Sequence, residues 1–311
     1  MNEEGLIPKE KIEKLKAETE QQLNYARQQA AFWSKKVEQL TGSLAVCNVI
    51  LKNHIGAEAV EVEEKKRMKL CFFGYRREPP DTRDLLVTMP QYDLPKEVDW
   101  TEQVTGIKDQ GQEGICVGQA VAAMSEYKEW REHGKKFDFS ERWIYEWAKE
   151  HDEWPGSDYD GTSIRGAMKA LAQHGICEEE YWRYVPGKRG KPDEKAAENA
   201  YQHRIQKYRS LTIPKKDIGL IKRGLHESGP VVLAFAVHAS WFNVGKDGII
   251  KKPGPKDQIL GYHAILAVAY DNEYLKIKNS WSTNWGAGGF GYLAFDYAMD
   301  ILHAGWAAFD L

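Results

Sequence analysis

An α+β protein with two subdomains is the fold that the 311-residue sequence predicts, on two observations. Apolar residues recur with helical spacing from Cys116 to about Arg131, and again from Ser163 to His174, where Gly175 ends the run. Beyond Gly229-Pro230 the pattern changes to short segments rich in β-branched and aromatic residues. These are Val231 to Val237, Ala264 to Tyr270, Tyr274 to Lys278, and Gly291 to Phe295. Helices first and mostly antiparallel strands later put the two kinds of element in separate lobes.

The N-terminal part reads differently. Leu23, Ala26, Ala30, Trp33, Val37, Leu40, Leu44, Cys47 and Leu51 alternate in steps of three and four, which draws one apolar seam along a long helix. Eight acidic and eight basic residues among the first 60 balance its polar remainder, and Gly42-Ser43 is where it can fold into a hairpin. The pattern is lost after Gly56, and Arg76 to Pro80 reads as extended linker. The expected organisation is a heptad-patterned helix or helical hairpin over 1–60, an extended segment over 61–93, and a folded domain over 94–311. A seam over 12–52 suits self-association or docking to a partner helix.

Composition narrows the functional classes. A 42% hydrophobic and 12% aromatic chain with 11 Trp has the material for a sizeable core. Lys and Arg number 43 against 46 Asp and Glu, so no basic excess points to nucleic acid, and Lys65-Lys66-Arg67 reads as a solvated face. No apolar run has the length of a membrane span, and Met1 to Glu10 lacks the apolar stretch of a secretory signal. The four cysteines, Cys47, Cys71, Cys116 and Cys177, are widely spaced without a C-x-x-C pair, so neither a disulfide framework nor a metal site is expected. The expectation is a reducing, cytoplasmic setting, no membrane, no metal and no cofactor.

The chemistry centres on Cys116. It follows the glycine-punctuated stretch Gln110-Gly111-Gln112-Glu113-Gly114-Ile115 and opens an apolar helix, so its sulfur lies at the positive end of the helix dipole. A buried, inert cysteine is the bland alternative. His263, in Gly261-Tyr262-His263-Ala264, is expected at the start of a strand, where rigid elements present side chains to a cleft; a satisfied core histidine is its alternative. Asn279 ends the segment Tyr274 to Lys278, where its amide can fix the imidazole tautomer or simply serve a turn.

Together these stretches resemble the papain-like cysteine peptidases. Leu94-Pro95-Lys96-Glu97-Val98-Asp99-Trp100 and Lys108-Asp109-Gln110-Gly111 are similar to the start of a mature domain of that family. Gly261-Tyr262-His263-Ala264 and Lys278-Asn279-Ser280-Trp281-Ser282-Thr283-Asn284-Trp285-Gly286 are similar to its His and Asn motifs. The resemblance implies a papain-like two-subdomain fold, with a helical left lobe and an antiparallel β right lobe, over residues 94 to 311. It implies a peptidase with Cys116 as nucleophile, His263 as base, Asn279 orienting it, and Gln110 donating to the oxyanion. It further implies that Trp281 shields the His263–Asn279 hydrogen bond, and that Gly161, Thr162, Ile164 and Ala264 line the cleft for a peptide or protein substrate.

Two departures stand out. Glu113 occupies a place where family members usually carry a disulfide-bonded cysteine, and Val117 follows the nucleophile where Trp is usual. Such enzymes are commonly made with a helical prosegment, and residues 1–93 fit that role in length and helicity. The spaced Glu/Arg/Phe/Asn/Ile/Asn signature of many prosegments cannot, however, be placed on residues 8–52. A zymogen reading has the tether cross the cleft with Phe72 or Phe73 in a substrate pocket. The rival functional reading is a catalytically idle binding or assembly protein that oligomerises through its N-terminal helix.

Overall fold

The computed structural model describes residues 73–88, 92–155, 160–212, 216–254 and 257–309. The seam expected over 12–52, together with Cys47, Cys71 and Phe72, lies outside the described residues. The first lobe is built on α1 (Cys116–His133), where Cys116 through Lys128 are buried, and Gly134 closes the helix in the left-handed region, its N–H on Trp130 O at 2.8 Å. Against α1 pack α2 (Glu141–His151) and α3 (Ile164–His174). Each has a serine at its N-cap: Ser140 Oγ accepts from Trp143 N–H and Ser163 Oγ from Gly166 N–H, both at 3.0 Å. A short α4 (Ala196–Gln202) follows, and α5 (Ile218–Ser228), capped by Asp217, leads into the second lobe.

That lobe is an antiparallel sheet. Its strands are β1 (Val98–Asp99), β2 (Lys207–Ser210), β3 (Val231–His238), β4 (Ile259–Tyr270), β5 (Tyr274–Lys278), β6 (Phe290–Ala294) and β7 (Leu302–Phe309), with α6 (Phe295–Ile301) before the last. They run in the order β2-β7-β3-β4-β5-β6, and β1 adds to the far end of β4. Every residue of β3 is buried because both sheet faces are covered. Val232 and Ala234 join Ala264 and Leu266 beneath the helices, while Val231, Leu233, Phe235 and Val237 enter a second core with Trp241 and Ile265. The α+β arrangement of a helical lobe and an antiparallel lobe is as expected.

Some boundaries differ from the sequence expectation. β4 starts at Ile259, not Ala264, because Gly261 and Tyr262 already pair with Val237 and Ala236; His263 therefore sits inside the strand opposite Phe235. β6 begins at Phe290, and Phe295 opens α6 instead of ending the strand. The apolar pattern left α2, α4, α5, α6, β1, β2 and β7 unassigned. In β7 the buried residues Ala304, Gly305, Trp306, Ala307 and Ala308 run consecutively, so no alternation marks the strand.

Beneath the junction lies an ionic cluster. Lys108 Nζ is 2.5 Å from Glu141, 2.6 Å from Asp138 and 3.6 Å from Glu126, and the Glu126 and Glu141 side chains are 1% and 2% exposed. Burial alone would lower the Lys108 pKa, but Glu141 and Glu126 hold it above its ordinary value. Removing one partner of a buried pair strands the other charge. Lys108→Met is therefore expected to cost about 3 kcal/mol or more of unfolding free energy, read from the midpoint of a urea transition.

Candidate active site

Cys116 opens α1 with no side chain capping that end and no acidic residue in the first turn. The unshielded helix N-terminus therefore favours negative charge at this sulfur. The thiol faces β4: Ala264 donates its backbone N–H to Cys116 Sγ at 3.4 Å, which brings the residue after His263 onto the sulfur. His263 is fully buried, with Nε2 2.8 Å from Asn279 Oδ1, while Nδ1 has no hydrogen-bond partner. The two ring nitrogens are thus distinguished, one held by the amide and the other left for a proton to come or go. Trp281 stacks on the imidazole at 4.6 Å between centroids and an interplanar angle of 27°. A flat indole over the ring keeps water from the His263–Asn279 bond.

Gln110 reaches the same place from the first lobe. The stretch 108–110 lies along 280–282: Gln110 N–H donates to Ser280 O at 2.9 Å and Ser282 N–H to Lys108 O at 3.2 Å. Its side chain is fully buried, with Nε2 donating to Glu113 O at 2.9 Å and Oε1 accepting from Ser280 Oγ at 2.6 Å. The left wall is Gly161-Thr162, just before α3, and Gly161 has φ of 92°, where a side chain would be strained. Ile164 and Ala264 are buried in one cluster with Cys116. Gln110, Cys116, Gly161, Thr162, Ile164, His263, Ala264, Asn279 and Trp281 therefore all lie at this junction between the lobes.

The cleft is filled by the chain's own residues 73–76, which belong to the same compact unit as the two lobes. Phe73 lies against Phe242, Trp281 and His263, at 6.0, 6.2 and 6.3 Å between ring centroids. Gly74 passes so close to Gly114 that a Cβ there would lie 1.8 Å from the Gly114 carbonyl oxygen; no larger residue fits. Its own carbonyl accepts from Thr162 N–H at 2.8 Å, and Thr162 O accepts from Arg76 N–H at 2.9 Å, so Tyr75 pairs in parallel with Thr162. Tyr75 is buried in the same core cluster as Ile164 and Ala264.

Farther along, Arg165 of α3 forks onto Asp84 at 3.0 and 2.6 Å and bonds Pro79 O at 2.7 Å. Trp306 Nε1 donates to Glu78 at 2.6 Å. Part of Glu78 reaches the surface, yet its Oε2 is enclosed and unpartnered, and burial pushes its pKa up to about 7. Leu85 and Val87 then bond Ser210 at 2.7 and 3.0 Å. No periodic sequence signal marks Glu78, Asp84 or Arg165, because each works through side-chain hydrogen bonds and ion pairs to distant parts of the chain.

An α+β fold with a thiol, an imidazole and an amide gathered where the lobes meet is the architecture of a cysteine peptidase. Residues 94–303 match the papain family cysteine proteases, and the chain belongs to that family. It is 29% identical to an uncharacterized peptidase C1-like protein of Acanthamoeba polyphaga mimivirus, over 73% of this chain and 83% of that one. It is 26% identical to cathepsin L of Sarcophaga peregrina over 63% of this chain, and spans 58% of that protein's length. Among solved structures, xylellain, a cysteine protease from Xylella fastidiosa, is similar at a TM-score of 0.69 and 27% identity, covering 77% of this chain and 96% of that one. Digestive procathepsin L 3 of Tenebrio molitor shares the fold at a TM-score of 0.61 and 20% identity, covering 79% of each chain.

Enclosure sets the protonation state. Burial pushes the Cys116 pKa up to about 11, against hydrogen bonds from the Ala264, Gly74 and Val117 backbone, and burial lowers His263 to about 4 despite its bond to Asn279. With residues 73–76 in place, burial therefore favours the neutral thiol and the neutral imidazole. Alkylation of Cys116 by iodoacetamide in the intact chain should therefore be slow at pH 7, because the covered sulfur is enclosed and protonated. A fast rate at pH 7 would mean that residues 73–76 do not keep the sulfur covered.

Proposed function

We propose that this protein hydrolyses peptide bonds through an acyl-enzyme on Cys116, and that residues 73–88 hold it latent. The observation that carries the reading is the convergence of the Cys116 sulfur, the Ala264 N–H beside it, and the His263–Asn279 pair. When the strap leaves, water rehydrates the dyad and His263 takes the thiol proton, giving thiolate and imidazolium. The thiolate attacks the substrate carbonyl, and the backbone N–H of Cys116 with the Gln110 amide stabilises the oxyanion. The imidazolium protonates the leaving amine, and neutral His263 then activates the water that releases the acid. Gly161 and Thr162 would pair with substrate backbone, beside a pocket formed by Ile164 and Ala264. The free, buried thiols of Cys116 and Cys177 fit a reducing, cytoplasmic setting.

The test of the nucleophile is Cys116→Ala in the full chain carrying Phe73→Ala to open the cleft, which should abolish turnover of a fluorogenic peptide with little change in thermal stability. Cys47→Ala, Cys71→Ala and Cys177→Ala should keep it. Substantial turnover by Cys116→Ala would refute the mechanism.

The strap supports latency because Phe73, Gly74 and Tyr75 take the space a substrate needs. A segment tethered in cis also competes at high effective concentration. A chain beginning at Leu94 should therefore cleave small peptides much faster than the full chain, and equal rates would reject latency.

His263 and Glu78 act on the strap in opposite directions as pH changes. His263 favours the covered state above its free value of 6.5, and that contribution is lost as pH falls toward 4. Glu78 is raised from 4.5 to about 7, so its contribution is complete below 4.5 and lost as pH rises through 7. Between pH 7 and 4 the two oppose each other. Glu78→Gln removes the offset, so acid should release this variant more steeply than the wild type, measured as the gain in peptide turnover after a pulse at pH 4.5.

A further inference from the structure

Glu113 stands where the sequence resemblance leads one to expect a disulfide-bonded cysteine, and the structure gives it a different tie. Its carboxylate receives both arms of Arg142 on α2, Nη1 on Oε1 at 2.5 Å and Nη2 on Oε2 at 2.7 Å. The Arg142 side chain is 2% exposed, and that of Glu113 16%. Gly187 N–H adds a bond to Glu113 Oε2 at 3.3 Å. The same residue's backbone carbonyl accepts from Gln110 Nε2 at 2.9 Å, and Tyr184 Oη donates to Gln110 O at 2.6 Å. The Gln110 amide is thus oriented by the backbone of a residue whose side chain is anchored to α2. Three residues on, Tyr145 Oη accepts from Gly161 N–H at 2.8 Å, so α2 holds the loop before Cys116 and the left wall of the cleft together.

We propose that Glu113 and Arg142 are positioning residues for the oxyanion donor Gln110, an ionic clamp in place of a covalent cross-link. A planar guanidinium meeting a carboxylate through two parallel bonds sets direction as well as distance, which an ammonium cannot do. The clamp acts through Gln110 and touches no substrate. It rests on the peptidase reading above for its catalytic consequence, but the orientation of Gln110 can be measured without turnover.

The first measurement uses the intact, isotope-labelled chain. The Gln110 side-chain amide signal, assigned by its loss in Gln110→Ala, should be single and slow to exchange with water. In Arg142→Lys it should shift, broaden and exchange at least tenfold faster, while Tm stays within a few degrees. An unchanged signal overturns the clamp whether or not the protein is a peptidase.

The second uses the full-length chain carrying Phe73→Ala to weaken the strap. Arg142→Lys should lower kcat about tenfold with KM nearly unchanged. Added to Gln110→Ala, it should cost little more, because its target is already gone. Replacing both partners, Glu113→Met with Arg142→Met, should recover Tm, since Glu146, the other carboxylate on Arg142, keeps Arg189 at 3.0 Å, yet leave kcat low. Restored kcat in that pair, or independent losses from Arg142→Lys and Gln110→Ala, would mean that the ion pair serves stability alone. A parent chain without turnover would count against the peptidase reading, and the amide signal would still decide the clamp.

Discussion

The contact on which the site depends is that between the first turn of α1 and the middle of β4, marked by the 3.4 Å bond from Ala264 N–H to Cys116 Sγ. A helix end supplies the local field that favours an anionic sulfur, and a strand supplies a rigid support for the imidazole. Neither lobe holds both. The interface has to be stiff, because misplacement of reacting groups by about an ångström weakens catalysis steeply. Val121, Met124 and Tyr127 of α1, buried with the helix-facing side chains of β3 and β4, provide that stiffness, and the Lys108 cluster lies under the same seam.

Burial serves two opposed ends here. Apolar enclosure by Phe73, Trp281 and Phe242 shields the His263–Asn279 bond, yet the same enclosure removes the water that would let Cys116 and His263 ionise. Covering the cleft therefore disfavours charge on both Cys116 and His263. The glycines make this closeness possible. A Cβ at Gly261 would lie 2.3 Å from the Phe73 ring, and one at Gly161 would lie 2.4 Å from the Gly74 carbonyl oxygen.

Charges in this protein act as positioning elements more than as surface decoration. Arg165, 3% exposed, joins α3 to Asp84 and to Glu153, and Arg142 joins α2 to the loop before Cys116. Buried pairs of this kind contribute little net stability compared with apolar packing, but they specify geometry and make a mismatched arrangement costly. Their partners lie far apart in the chain, 81 residues for Asp84 and Arg165 and 29 for Glu113 and Arg142.

The sequence by itself determined the α+β class, the helix from Cys116, the helix ending at Gly175 and the identity of the residues that meet at the cleft. Their signals are local: a glycine-punctuated turn, an N-cap, an apolar run, a short motif around His263 and another around Asn279. Only the tertiary structure decided that β4 begins five residues early, because Gly261 looks like a break until the neighbouring strand supplies its pairing. It also decided how residues 73–76 lie in the cleft, which the sequence raised only as one reading of the tether, and what ties the loop before Cys116 to α2. Phe73 and Glu78 carry no periodicity, and a carboxylate such as Glu113 reads as solvated until folding brings a buried guanidinium within 2.7 Å of it. Short-range patterns follow from backbone geometry and solvent exposure, which a few neighbouring residues specify; pairing between distant side chains exists only after the chain has paid the entropy of bringing them together.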